Sequence, residues 1–138
     1  RFCLHVPVPL NLRAMRRAAQ SLVGKHDFRS FMASDPARRD PPQPKDTVRT
    51  VTRIDIRKRK DTILVDVEAN GFLYKMVRNI VGTLLTVGTG KTPAATMPDL
   101  LGCRNRALAG KTAAARGLFL LRVDYEAVHK PGGLKIIC

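Results

Sequence analysis

The chain lacks tryptophan and has only two tyrosines and five phenylalanines among its 138 residues. The chain therefore has few aromatic side chains on which the bases of a nucleic acid could stack across a sheet. Cysteine is also scarce, and Cys3, Cys103 and Cys138 are far apart with no C-x-x-C pair. We therefore expect no disulfide and no metal site, and three thiols in a basic chain favour a reducing, intracellular compartment. The sequence does not distinguish the cytoplasm from the nucleus or an organelle.

Long apolar runs are absent as well, since none reaches the roughly 18 residues that a membrane span needs, and no leader pattern opens the chain. We therefore expect no membrane-spanning segment, and no membrane is among the predicted partners. Gly90-Lys91-Thr92 resembles the end of a phosphate-binding P-loop, but Leu85 stands where the first glycine of that motif belongs. The sequence thus predicts no site for ATP or GTP.

Acidic residues are few: 11 stand against 25 lysines and arginines, so the formal net charge is +14. Such an excess predicts a polyanionic partner that is bound through phosphate contacts and counterion release. RNA, DNA and anionic lipid all remain open on charge alone. With 138 residues, of which 44% are hydrophobic, the chain suits one domain with a real core.

Hydrophobic periodicity predicts an α+β fold in the order β-α-β-β-α-(α)-β, with helices on one face of an antiparallel sheet, as in ferredoxin-like and RNA-recognition-type domains. We expect a single domain over residues 1–125 and a tail over residues 126–138. The predicted elements are a strand at 2–6, a helix from Asn11 to Gly24, a proline-rich loop at 32–46, strands at 48–60 and 63–69, helices at 70–88 and 97–103, and a strand at 118–125.

The helix predicted over residues 70–88 organises the rest of the chain. Its apolar positions recur at helical spacing, Asn70 is a suitable N-cap, and Gly88 can supply a left-handed final residue. On its other side Arg78 stands one turn before Gly82, which leaves room for a close neighbour. Two interpretations of Arg78 remain open: a solvated charge on an exposed face, or a cation that binds a partner group.

Alternation in the strand at 48–60 predicts that Arg49, Arg53, Arg57 and Arg59 share one face. Asp66 and Glu68 on the next strand are expected to form ion pairs with arginines opposite them, which leaves a net basic stripe. Arg16 and Lys25 belong to a basic helix side that is either an ordinary solvated face or a phosphate-contacting one. The predicted RNA contacts are Arg16, Lys25, Arg49, Arg53, Arg57, Arg59 and Lys75.

Three segments carry a resemblance to a known family. The segment NGFLYKMVRNIVGTLLTVG (70–88) resembles the signature helix of the TruA family of tRNA pseudouridine synthases. LVGKHDFRSF (22–31) and AGKTAAARGLFLLRVDY (109–125) are similar to two further motifs, although Ala114 stands where the family often has proline. The family's Gly-Arg-Thr-Asp motif, which carries the catalytic aspartate, does not occur. The chain therefore resembles only the C-terminal half of such an enzyme.

This resemblance implies an isomerase of tRNA processing that converts uridine to pseudouridine in the anticodon stem-loop without cofactor or metal. It implies that Arg78 pairs with a catalytic aspartate absent from this chain, and that Leu118 packs against the target base. The implied partners are tRNA, the N-terminal half of the same enzyme and, as in bacterial relatives, a second subunit. We expect the chain alone to be inactive.

A second hypothesis needs no catalysis: the chain is a basic RNA-binding module of the ribosomal-protein type. Composition alone favours this hypothesis. The two hypotheses differ at Arg78, because a binding module should lose affinity gradually as charges are removed, with Arg78 no more important than Arg53 or Arg57.

Overall fold

A five-stranded antiparallel sheet, in the order β1-β2-β3-β5-β4, is the frame of the described part of the chain. The structure, a computed structural model, describes residues 5–34 and 46–115 in full and the backbone of residues 118–122 and 132–137. The elements are α1 (Leu12–Gln20), β1 (Gly24–Asp27), β2 (Val48–Arg59), β3 (Thr62–Ala69), α2 (Met76–Gly88), α3 (Met97–Cys103), β4 (Leu118–Arg122) and β5 (Gly132–Ile137). The predicted α+β class with an antiparallel sheet is confirmed.

One core joins the helices to the sheet. The buried residues of α1 and α2 belong to the same cluster as the buried residues of β2 and β3; its fully buried large side chains include Met15, Leu22, Phe28, Phe31, Val51, Val65, Val67, Ile80 and Leu84. Phe28 and Phe31 are fully buried and hold the segment after β1 on this core. Among the described residues, no helix has both the length and the apolar surface that crossing a bilayer requires.

The first helix begins as predicted but ends earlier. Asn11 is its N-cap, and the Oδ1 atom of Asn11 accepts a bond from the amide of Ala14 at 3.1 Å. The helix ends at Gln20, and Gly24 instead opens β1 with a φ of 115°. The sequence predicted no strand there, because four residues are too short for their alternation to be recognised. Of the strand predicted at 2–6, residues 2–4 lie outside the described part, and His5 and Val6 are not in a strand.

The long strand β2 has the predicted extent but not the predicted faces. A bulge between Val51 and Arg53 shifts its register against β3. As a result Val51, which the simple alternation placed beside the arginines, is fully buried in the core with Ile56. Arg49 alternates with Val51, so it does not share the face of Arg53, Arg57 and Arg59. The prediction of four arginines on one face is therefore wrong.

The central helix starts six residues later than predicted. It begins at Met76, after Lys75 in a left-handed conformation. Asn70 is not its cap; the Oδ1 atom of Asn70 accepts a bond from the amide of Thr50 at 2.8 Å and closes the ladder between β2 and β3. Gly88 is the last helical residue, while the left-handed glycine is Gly90, with a φ of 85°.

At the C-terminal end, α3 is as predicted, and it is followed by Arg104 in a left-handed conformation. Strand β4 covers the described part of the predicted last strand; residues 123–125 lie outside it, as do residues 35–45 of the proline-rich loop. The sequence predicted a tail over residues 126–138, but Gly132–Ile137 form β5, which pairs with both β3 and β4. A six-residue strand that opens with two glycines has too little alternation to be recognised.

Candidate functional site

Arg78, the third residue of α2, is half-buried and bonded to a neighbouring segment. Its Nε atom donates to the carbonyl oxygen of Ala113 at 2.7 Å. In return the amide of Ala113 donates to the carbonyl oxygen of Arg78 at 3.1 Å. Arg78 is therefore partly buried and bonded at Nε, which differs from a freely solvated charge on an exposed face.

The segment that binds Arg78 is residues 109–113, which we call the strap. The strap runs along α2 in the opposite direction, so that Gly110 meets Thr83 and Ala113 meets Arg78. Between these ends the carbonyl of Lys111 lies against Gly82, where a Cβ atom would overlap its oxygen. The neighbour that the sequence predicted for Gly82 is thus the chain's own strap.

A buried amide beside Arg78 connects the strap to two other segments. The side chain of Asn79 is fully buried. Its Nδ2 atom donates to the carbonyl oxygen of Phe31 at 2.7 Å, and its Oδ1 atom accepts from the hydroxyl of Thr112 at 2.6 Å. The Nη2 atom of Arg106 donates to the same Oδ1 atom and to the hydroxyl of Thr112, both at 3.0 Å. Both of the amide's polar atoms are therefore satisfied.

Arg106 is a half-buried cation whose bonded partners in the described structure are neutral oxygens. Desolvation lowers the pKa of Arg106, although an arginine remains protonated at neutral pH. No carboxylate lies within ion-pair distance among the described residues. Sequence reasoning missed Arg106, Asn79 and Thr112. The available signal was Asn79 itself, a polar residue three positions after the buried Met76 on a helix.

The bond to Ala113 determines which nitrogen atoms of the Arg78 guanidinium group remain available for another partner. A guanidinium group has one Nε–H and two terminal NH₂ groups in a plane. Because Nε is used, the pair Nη1 and Nη2 remains, and neither has a partner among the described residues. Two N–H groups that point the same way match the two oxygens of a carboxylate or a phosphate.

Leu118 opens β4, five positions after Ala113. A chain of five residues spans at most about 18 Å, so the start of β4 lies within that distance of the strap. The side chain of Leu118 lies outside the described structure, and its predicted contact with a target base stays a prediction.

Acidic side chains neutralise the arginines on the outer face of β2 and β3. Arg53 pairs with Glu68 at 2.9 Å, and Arg57 pairs with Asp66 at 2.6 Å and with Asp55 at 3.1 Å. The predicted cross-strand ion pairs with Asp66 and Glu68 are therefore confirmed. With Arg59, three arginines share this face with three acids, of which Asp66 is buried, so the described part of the face carries no net positive charge.

Unpaired positive charge lies instead at one corner, where α1 meets the β2–β3 turn. Arg16 is exposed, and its Nε atom donates to the carbonyl oxygen of Ile56 at 2.9 Å. This bond holds the basic side of α1 close to the turn, because residues 58–60 follow Ile56 at about 3.3 Å each. We call the exposed set Arg13, Arg16, Arg17, Lys58, Arg59 and Lys60 the basic corner.

The remaining predicted RNA contacts are dispersed. Lys25 is exposed on β1, and Lys75 is exposed before α2 with its Nζ atom 5.3 Å from the centre of the Tyr74 ring. Arg49 is half-buried, and its Nη1 atom donates to the carbonyl oxygens of Asp46 and Val48 at 3.1 and 2.8 Å. Of the predicted RNA contacts, the basic corner thus includes Arg16 and Arg59, whereas Lys25, Arg49 and Lys75 lie elsewhere.

A groove of about 330 Å³ between β1 and α3 carries His26 and Asp27. The Oδ1 atom of Asp27 accepts from the amide of Arg29 and from the hydroxyl of Thr47, and its Oδ2 atom lies 3.4 Å from Nε of Arg104. The ring of His26 is bonded to the carbonyl oxygen of Val23. These residues serve a turn and an ion pair, and no acid–base pair is formed there.

A family model described as tRNA pseudouridine synthase matches residues 18–126. Among curated relatives, the tRNA pseudouridine synthase A of Thermoanaerobacter sp. (strain X514) is 44% identical over 124 residues, which cover 90% of this chain and 48% of the relative. The protein of the same name from Bordetella petrii is 44% identical over 88% of this chain and 43% of the relative. That of Klebsiella pneumoniae (strain 342) is 43% identical over 89% and 43%. The chain spans less than half the length of these relatives.

Proposed function

Since this chain belongs to the tRNA pseudouridine synthase family, we propose that the complete protein isomerises uridine to pseudouridine in the anticodon stem-loop of tRNA. In this proposal the chain is the C-terminal half of the enzyme. It supplies part of the RNA-binding surface and the arginine that orients a catalytic aspartate. The aspartate itself comes from the N-terminal half, since the Gly-Arg-Thr-Asp motif is absent from these 138 residues.

The observation that carries the proposal is the position of Arg78. The carbonyl of Ala113 holds its Nε atom at 2.7 Å, which leaves the two terminal NH₂ groups for an incoming carboxylate. A carboxylate nucleophile in a water-poor site needs a permanent cation that keeps it ionised and correctly aimed. Arginine offers two parallel donors for this purpose, whereas lysine offers a single point charge.

The chemistry then needs no cofactor and no metal. The aspartate attacks the uridine, the N1–C1′ glycosidic bond breaks, and the base turns. A carbon–carbon bond from C5 to C1′ then forms, the bond to the aspartate breaks, and C5 loses its proton while N1 gains one, so that the product is an isomer of the substrate. Leu118, at the start of β4, packs against the target base, because a branched aliphatic side chain excludes water and offers no competing hydrogen bond.

The basic corner is the part of the described surface that fits the tRNA backbone best. Its six side chains are exposed, and none of them is ion-paired within the described structure. Lys25 and Lys75 add exposed charges, while Arg53 and Arg57 contribute less because acids neutralise them. Arg49 adds a half-buried charge. A homodimer, as the family resemblance implies, would place two such surfaces on one assembly.

The experiment is Arg78→Met in the complete protein. We expect pseudouridine formation in a tRNA transcript to be abolished, while the Kd for tRNA stays within a few-fold of the wild type. The matched control is Arg104→Met, which removes an arginine that is 67% exposed in its side chain and pairs with Asp27. This control should retain turnover.

Near-normal turnover of Arg78→Met would show that the role given to Arg78 is wrong. A gradual loss of affinity, equal at Arg78 and at exposed arginines, would instead support the non-catalytic RNA-binding module. The composition of the chain favours that alternative, whereas the half-buried and bonded state of Arg78 favours the enzyme.

A further inference from the structure

Asn79, Thr112 and Arg106 form a polar cluster that the proposed chemistry does not use directly. The cluster is half-buried or buried throughout, and it joins α2, the strap and the short turn Arg106–Leu108. A buried amide and a half-buried cation both cost free energy unless they are bonded, and in this cluster the two lie side by side and are bonded to each other. The cluster stands beside Arg78 and Ala113, one residue away along each segment.

From this adjacency we propose that the cluster is a positioning unit, which fixes the place of the Ala113 carbonyl and thereby the direction of the Arg78 guanidinium group. The proposal rests on the proposed function. Thr112 and Ala113 are neighbours, so the 2.6 Å bond from Thr112 to Asn79 fixes the strap within one residue of the atom that binds Nε of Arg78.

Arg106 restricts the bond between Thr112 and Asn79, which we call the anchor. Its Nη2 atom contacts both the acceptor of the anchor, Oδ1 of Asn79, and the donor, the hydroxyl of Thr112. Asn79 in turn cannot rotate its amide without losing the bond to Phe31, because the exchanged oxygen would face another carbonyl oxygen. The anchor therefore has one arrangement of donors and acceptors.

The test substitutes Thr112→Val in the complete protein, which keeps the shape of the side chain and removes its hydroxyl group. We expect the single-turnover rate to fall by about tenfold, because small misplacements of a catalytic group are costly, while the Kd for tRNA stays within twofold. Thr112→Ser should restore most of the rate. Thr86→Val is the matched control, since the hydroxyl of Thr86 donates to the carbonyl oxygen of Thr83 within α2 and not to the strap.

A second readout does not depend on activity. The Nε–H signal of Arg78 in a ¹⁵N-correlated NMR spectrum, identified by its disappearance in Arg78→Met, should exchange slowly in the wild type. It should shift and exchange faster in Thr112→Val but remain unchanged in Thr86→Val. A role in stability alone would lower the Tm of Thr112→Val and leave this signal and the rate of the folded enzyme unchanged.

The outcomes separate the two proposals. An active wild type with an equally active Thr112→Val and an unchanged Nε–H signal would overturn the positioning role and leave the proposed function standing. A wild type that forms no pseudouridine would overturn the proposed function, and the NMR signal would still test the positioning. If Thr112→Val does not fold, Arg106→Met decides by the same two readouts, because it removes the cation that contacts both Asn79 and Thr112. A slower rate and a shifted Nε–H signal would support the positioning role, and an unchanged rate and signal would overturn it.

Discussion

Gly82 should be among the least replaceable residues of α2. In an exposed helix, a change from glycine to alanine stabilises the protein by about 1 kcal/mol. At Gly82 the added Cβ atom would overlap the carbonyl oxygen of Lys111 and lie 2.9 Å from the carbonyl carbon and 3.2 Å from the amide nitrogen of Ala113. The obstacle is backbone, so a change of side-chain rotamer cannot relieve it.

The strap must therefore move away from α2, and its bonds set the size of the loss. Retreat of the strap weakens the bonds from Gly110 to Thr83, from Thr112 to Asn79 and between Ala113 and Arg78. At about 1 kcal/mol for each bond, set against the helical gain of about 1 kcal/mol, Gly82→Ala should lower the free energy of unfolding by about 1–3 kcal/mol. Turnover should fall with it, because Arg78 loses its carbonyl partner.

Gly102→Ala in α3 is the matched control, since no atom lies within 4 Å of the Cβ position there. It should be neutral or stabilising by up to about 1 kcal/mol. Thermal unfolding of the complete protein compares the two variants, and pseudouridine formation is measured on the same samples. Equal Tm values for Gly82→Ala and Gly102→Ala would refute the close packing of the strap on α2.

Two further predictions concern binding and catalysis. Replacing Lys58 and Arg59 by alanine should weaken tRNA binding and reduce the slope of log K against log[salt] by about 1–2. The control is Arg53→Gln with Glu68→Gln, which removes an ion pair at constant net charge and should leave that slope unchanged. Equal slopes in both variants would argue against the basic corner as a phosphate contact. The 138-residue chain, purified alone, should form no pseudouridine in a tRNA transcript because it lacks the nucleophile, and detection of product by mass spectrometry would contradict this.

The sequence predicted those elements whose signal is long and local. The extent of β2 and the helix α3 both follow from periodicity and are present. The faces of β2 could not be predicted in full, because a bulge adds one residue to the alternation and is set by pairing with β3. The predicted start of α2 was wrong because an asparagine side chain can either cap a helix or accept a bond from a neighbouring strand, and Asn70 does the second.

In the candidate site too, the sequence revealed local features but not contacts between distant residues. Arg78 and Gly82 could be singled out, since a cation and a glycine one turn apart on a core helix are visible in the sequence. The strap that occupies the space at Gly82, and the cluster of Asn79 with Thr112 and Arg106, depend on contacts between residues 27 to 33 positions apart in the chain. Local patterns carry no signal at such separations.

The register of the strap on α2 explains why the site needs all of these residues together. Gly110, Lys111, Thr112 and Ala113 contact Thr83, Gly82, Asn79 and Arg78 in that order, so every residue of the strap after Ala109 is held by a different residue of the helix. A shift of the strap by one residue would break the bonds from Gly110 to Thr83 and from Thr112 to Asn79, and it would move the carbonyl of Lys111 away from Gly82 at the same time. Because each contact penalises the same shift, the carbonyl of Ala113 is fixed opposite Arg78 more firmly than its own two bonds to that residue could fix it.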